Sequence, residues 1–355
     1  MSKYKAAIIG CGRIGTHTRE SLLKNAPPCT LPLNHADAIK GVNSLKLAAL
    51  CDVNSENLKR ASLEHDVNAC YSDFKKMIRD VKPDIVSIAT RTNGRCDILK
   101  DVVNDGVKGV YIEKPISNSI IECRDALNEV NINGAFIAYG VFRRYMQSFQ
   151  DAKQILLNGE IGELIQISVE MGRSMLLWSH PHAIDLMLFF SNSREVEYIQ
   201  GNCTLKTHLA KNARIVDEDP IVDSATVKFR NGVSGVIVSR GGGNVTLCGT
   251  LGTITIVADG SWIKVEKKVG DSPYFSGVDK RTANAKMSGT QRAFYELSRA
   301  IETSSPISIT TDEILISQQI LIGIAFSSLQ NGIRMPLVSI PEHFTVTGRY
   351  GDLYA

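Results

Sequence analysis

Ala6-Ala7-Ile8-Ile9-Gly10-Cys11-Gly12-Arg13-Ile14-Gly15 is an apolar run that empties into three glycines, and its reading decides the fold. It reads as a strand turning into a helix. Gly10 makes the tight turn, Gly12 lets a pyrophosphate approach bare backbone, and Gly15 lets the new helix pack close on the sheet. The phosphates then face the free N–H groups of a helix N-terminus, with Cys11, Arg13 and Ile14 beside them. The next strand, Leu45 to Cys51, closes on Asp52, 37 residues past Gly15 against about 20 in the minimal fingerprint. An insertion accounts for the excess. It holds Pro27-Pro28, Pro32 and Asn34-His35-Ala36-Asp37, where Asn34 suits a helix cap and His35 either caps or touches a ligand. An acid at Asp52 accepts hydrogen bonds from ribose hydroxyls and repels a 2′-phosphate, which favours NAD over NADP.

Outward from this stretch, helix patterns at Thr16 to Asn25, Asn57 to Asp66 and Asp73 to Val81 alternate with strands at Cys70-Tyr71 and Ile85 to Thr90. Alternation of this kind predicts a parallel, doubly wound sheet. Thr90 closes one strand and opens a loop with Arg91 and Arg95, both candidates for an anionic substrate group, before a helix from Asp97 to Asp105. Gly109 to Ile112 then ends in Glu113-Lys114-Pro115, which places a lysine at the same crevice as the glycine loop. Ala135 to Gly140 reads as the last strand of this sheet, followed by a helix from Tyr145 to Leu157. Strand patterns separated by turn residues follow at Leu164 to Met171, Val196 to Leu205, Asp223 to Phe229, Gly235 to Ser239, Asn244 to Gly249, Thr253 to Val257 and Trp262 to Val269. Helices return at Gln291 to Glu302 and Thr311 to Leu329, before a tail from Met335 that packs on the body. The division expected is residues 1–140 for a dinucleotide-binding domain and 141–355 for a substrate-binding and oligomerisation domain.

The 355 residues are 43% hydrophobic and 22% charged, enough for two cores, and a formal charge of +3 with no dense basic block argues against nucleic acid or an anionic membrane. The eight cysteines show no metal-ligand spacing, so no metal site is expected, and reduced thiols in the cytoplasm fit them. No apolar run approaches the roughly 20 residues that span a bilayer.

The ordered set Gly10-x-Gly12-x-x-Gly15, Cys51-Asp52, Glu113-Lys114-Pro115, Phe142-Arg143-Arg144-Tyr145 and Gly159-x-x-Gly162 resembles the glucose-fructose oxidoreductase and inositol dehydrogenase family, Gfo/Idh/MocA. The resemblance implies an α/β fold: an N-terminal Rossmann domain and a C-terminal α+β domain with a large open, mostly antiparallel sheet. It also implies NAD(P)-dependent oxidation or reduction of sugars, inositols and their derivatives, and homodimers or homotetramers.

In Trp178-Ser179-His180-Pro181-His182-Ala183-Ile184-Asp185, Pro181 opens a helix, His182 sits in its first turn and Asp185 lies three residues on. The positive end of the dipole favours a neutral imidazole at His182. Family members carry Asp four residues before this histidine and Gly two before, where this chain has Trp178 and His180. They often carry Pro and then His after the strand ending at Thr90, where this chain has Arg91 and Cys96. Lys114 and His182 are the catalytic candidates, with no carboxylate at position 178 to hold the lysine charged. Trp178 is either core or an apolar wall for a sugar ring or the nicotinamide. His180, Asp185 and Arg144 complete the candidates for substrate contact, Asp185 having the orienting or pairing of a neighbour as its other role and Arg143 and Arg144 domain packing, and Glu113 anchors the cofactor loop. The function expected is hydride transfer between NAD and a secondary alcohol or ketone of a sugar, inositol, amino sugar or nucleotide sugar. A non-catalytic dinucleotide-binding regulator, or a lyase, epimerase or glycosidase using transient oxidation by tightly held NAD, are the alternatives.

Overall fold

A computed structural model describes residues 4–205 and 209–347. Six parallel strands, β1 (Tyr4–Ile9), β2 (Leu45–Cys51), β3 (Cys70–Tyr71), β4 (Ile85–Ile88), β5 (Gly109–Ile112) and β6 (Phe136–Tyr139), form one sheet in the order β3-β2-β1-β4-β5-β6. Every residue of β4 and β5 is buried, as a strand covered on both faces requires. The order reverses between β1 and β4, so the carboxyl ends of these strands open a crevice there.

The first helix departs from expectation. Thr16 to Asn25 is not one helix but two, Arg13–Thr16 and Glu20–Asn25, with His17 extended between them at φ −136° and ψ 117°. The Thr16 hydroxyl donates to the Cys11 carbonyl at 2.9 Å, offering the chain a local alternative to a continuing helix. The insertion folds as expected from its cap: Asn34 Oδ1 accepts the Asp37 N–H at 2.8 Å and starts the helix His35–Lys40.

A second sheet of nine strands runs Phe275–Arg281, Trp262–Lys268, Gly252–Val257, Asn244–Gly249, Leu164–Glu170, Ser234–Ile237 and Ile221–Phe229, the last pairing also with Ser174–Met175 and Val196–Thr204. All its pairings are antiparallel except Leu164–Glu170 with Ser234–Ile237. The strand Phe275–Arg281 escapes a sequence reading because five of its seven residues are exposed and it carries no apolar alternation. The expected helix Tyr145 to Leu157 divides into a 3-10 turn, Phe142–Tyr145, and a helix, Gln147–Leu157.

Helices Pro181–Ser191 and Thr311–Leu329 pack into the second core with the inner face of this sheet. Thr311–Leu329 is, among the described residues, the one helix long and apolar enough to cross a bilayer, with 61% of the window buried inside the protein. The tail packs on the same core through Met335, Ile340, Phe344 and Val346, and residues 348–355 lie outside the description. Helix Gly289–Thr303 crosses back to the first sheet and buries Ala293, Phe294 and Leu297 against it.

Candidate active site

The glycine loop is built for close approach. Gly10 has φ +100°, in the left-handed region, and a Cβ there would come within 2.8 Å of the Ala89 carbonyl carbon. A Cβ on Gly15 would lie 2.0 Å from the Gly10 oxygen. Gly12 differs, because a Cβ there would meet nothing within 4 Å. The space in front of Gly12 is therefore open for a ligand, which fits a dinucleotide pyrophosphate on bare backbone. The Cys11 N–H donates to Asp52 Oδ2 at 2.6 Å and the Asn54 N–H to Oδ1 at 2.8 Å, so Asp52 also clamps the loop. Arg60, which no motif signals, reaches the Cys11 carbonyl at 3.2 Å. Burial raises the Cys11 thiol far above its ordinary range, so it is inert at neutral pH. Arg13 and Ile14 are half-buried in the single helical turn, and the buried Thr90 hydroxyl has no hydrogen-bond partner among the described residues. Gly12→Val is expected to weaken NAD binding at least about tenfold by filling the cradle, with an unchanged melting temperature. Calorimetric titration beside a thermal melt checks both halves.

Lys114 follows β5 and is half-buried. Its backbone N–H donates to Glu113 Oε2 at 3.2 Å, while Glu113 Oε1 meets His35 Nε2 at 3.2 Å, and His35 Nδ1 meets the Ser87 hydroxyl at 2.6 Å. His35 is thus a buried structural partner of Glu113 and not a ligand contact. The Lys114 ammonium donates to the Trp178 carbonyl at 2.5 Å and lies 4.7 Å from the centre of the Trp178 ring. Burial lowers Lys114 to about 8; Glu113 opposes this, Arg143 and Arg95 add to it, and Asp219 opposes it.

His182 is in the first turn of Pro181–Ser191, as its sequence implies, and its ring meets Phe142 edge-on at 5.1 Å. Burial, then the charges of Arg143 and Lys114, hold it well below the usual histidine range. His180 is lowered to about 4 by burial, and its Nε2 meets the Ser174 hydroxyl at 3.2 Å. Nδ1 of each histidine is buried with no hydrogen-bond partner among the described residues. A neutral imidazole, His182, therefore faces the charge of one lowered lysine, a pairing that suits a hydroxyl-bearing ligand.

Three expected substrate contacts are otherwise engaged. Arg95 is buried and donates to the Glu113 carbonyl at 2.8 Å and to the Pro115 and Thr90 carbonyls, so it braces the crevice loops and is not free for an anion. Arg144 and Asp185 are buried and face each other, with Nη2 to Oδ1 at 2.6 Å and Nε to Oδ2 at 3.1 Å. Arg143 pairs with Asp259 at 2.5 Å and 2.9 Å. Arg91 is exposed on the loop after Thr90, and Trp178 is 46% exposed and so is not core. Sequence reading missed Asp219, whose carboxylate accepts the Leu177 N–H at 2.7 Å and the Trp178 N–H at 3.0 Å. No carboxylate stands at position 178, as its Trp requires, but Glu113 and Asp219 from elsewhere favour the charged form of Lys114.

Residues 4–141 match the model of an oxidoreductase family with an NAD-binding Rossmann fold, GFO_IDH_MocA. Over these residues the chain is similar to the Gfo/Idh/MocA oxidoreductases. Over 252 residues it is 24% identical to a myo-inositol 2-dehydrogenase of Thermotoga maritima, covering 66% of this chain and 67% of that protein. It is 25% identical over 163 residues to scyllo-inositol 2-dehydrogenase (NAD(+)) of Bacillus subtilis, covering 46% of this chain and 43% of the relative. The match thus spans about two thirds or less of these relatives. An oxidoreductase from Agrobacterium radiobacter, solved with NAD+, L-tartaric acid and magnesium, shares this fold with a TM-score of 0.74 and 17% identity, covering 96% of this chain and all of that one. NAD is the cofactor that this Rossmann match supports.

Proposed function

We propose that this chain is an NAD-dependent dehydrogenase acting on a secondary alcohol or ketone of a sugar, inositol, amino sugar or nucleotide sugar. What supports this reading is the lowered Lys114 facing a neutral His182, on a chain whose first sheet also carries the open Gly12 cradle. NAD, when bound, supplies the hydride acceptor. Lys114 takes the hydroxyl proton, and it is neutral and competent once the pH passes about 8. His182, neutral across the working range, holds the hydroxyl and shares the proton. Trp178 offers an apolar face to the ring. Asp52 receives the ribose hydroxyls and its charge disfavours a 2′-phosphate.

In this reading residues 1–140 bind the cofactor and 141–355 the substrate, with Gly289–Thr303 lent back to the first sheet. The cytoplasm suits eight unpaired cysteines. The open face of the nine-stranded sheet supports a homodimer or homotetramer, and light scattering that found only a 38.9 kDa monomer at micromolar concentration would refute it. A panel of inositols and sugars assayed for NADH tests the activity. Net NADH with at least one member supports the dehydrogenase; binding without turnover points to a regulator, and product without net NADH to transient oxidation.

A further inference from the structure

We propose that Asp219 is a positioning residue for Lys114, acting through the single helical turn Leu176–Ser179. The inference rests on the reading of Lys114 as the proton acceptor. A helix leaves its first amides without partners, and a four-residue helix has little else to hold it. Here the first three amides are all taken by Asp219-Pro220: Leu176 N–H by the Pro220 carbonyl at 2.8 Å, Leu177 N–H by Asp219 Oδ1 and Trp178 N–H by Asp219 Oδ2. The next residue on, Ile221, pairs with Met175 in the nine-stranded sheet, so the turn is anchored to a rigid element on its N-terminal side. Trp178 then presents its carbonyl and its ring face to the Lys114 ammonium. Its indole is half exposed, and the two amide bonds to Asp219 fix the backbone that carries it.

The charges that face Lys114 come from four places. Glu113 lies on its own strand end, Arg95 follows the β4 loop, Arg143 lies in the 3-10 turn and is neutralised by Asp259, and Asp219 lies opposite. His182 faces the same space as a neutral ring. Asp219 is therefore the carboxylate that the second sheet contributes to the balance of Lys114. One side chain both fixes the acceptor of the ammonium and opposes its loss of charge.

Trp178 and Trp262 are the two tryptophans of the chain, so a Trp262→Phe background reads Trp178 alone. In that background indole emission should change through pH about 8 as Lys114 loses its proton, and the change should vanish with Lys114→Met. Asp219→Ala should abolish the change while NAD affinity stays as it was, because the indole leaves the ammonium. Asp219→Asn keeps an acceptor for the turn but removes the charge; its transition should persist with a midpoint lower by roughly half a pH unit, about threefold in proton affinity. A role confined to stability would move neither midpoint nor amplitude. A transition in Asp219→Ala and Asp219→Asn that matches the background in both would overturn the proposal, as would one that survives Lys114→Met. No step of this test needs substrate, so a failed dehydrogenase assay and a failed positioning role are told apart.

Discussion

Lys114→Ala is expected to lower turnover at least about 100-fold, the scale of a lost general base, while NAD affinity changes little. The lysine is lowered to about 8 because burial disfavours the ammonium, and the neutral amine is the form that accepts a proton. The sign for catalysis follows. In the oxidation direction the rate rises with pH through about 8 in the parent enzyme, and the remaining rate in Lys114→Ala loses that rise. His182→Ala should cost less and mostly in the same rate constant, since His182 positions a hydroxyl that Lys114 deprotonates. Steady-state rates across pH 6 to 10, roughly spanning both forms of the lysine, beside an NAD titration of each variant, provide the check. Near-normal turnover in Lys114→Ala would move the proton acceptor elsewhere, with His180 next.

Arg144→Ala is expected to destabilise the fold by about 3–5 kcal/mol, because it leaves the Asp185 carboxylate buried without its partner. Arg144 also donates to the Ser308 carbonyl at 2.6 Å, tying the 3-10 turn before the second sheet to the start of the last long helix. The double change Arg144→Met with Asp185→Leu should recover most of the loss, since apolar groups of similar volume replace a buried pair at little cost. Denaturant midpoints for the single and double variants measure both. A single variant within about 1 kcal/mol of the parent would show that the pair is dispensable.

The parts of the site that depend on short-range chemistry were legible in the residues. Gly10 and Gly15 are legible because a turn and a tight packing each demand glycine, and the structure crowds both positions, while Gly12 stands before open space. Lys114 at a strand end and His182 in a first turn follow from local pattern too. What the residues do not reveal is pairing between distant segments. Arg95 looks like a ligand arginine on a crevice loop until three carbonyls from Thr90, Glu113 and Pro115 are seen around it. Arg144 and Asp185 lie 41 residues apart and satisfy each other. Asp219 sits in a loop without a motif, and only the fold brings it under Trp178. The break after Thr16 was equally hidden, because a threonine hydroxyl that turns back on Cys11 leaves the helical pattern of the sequence unchanged.

Hydride transfer between a carbinol carbon and the dinucleotide, with Lys114 taking the proton, is the central claim. Its most direct measurement uses an inositol or sugar from the panel deuterated at the reacting carbon, incubated with the protein and NAD, with the label followed by mass spectrometry. The account predicts deuterium in net reduced dinucleotide with the parent protein and a rate lower by at least about 100-fold with Lys114→Ala. Bound NAD that never acquires the label from any member of the panel, or label that returns to product with no net reduced dinucleotide, would contradict it.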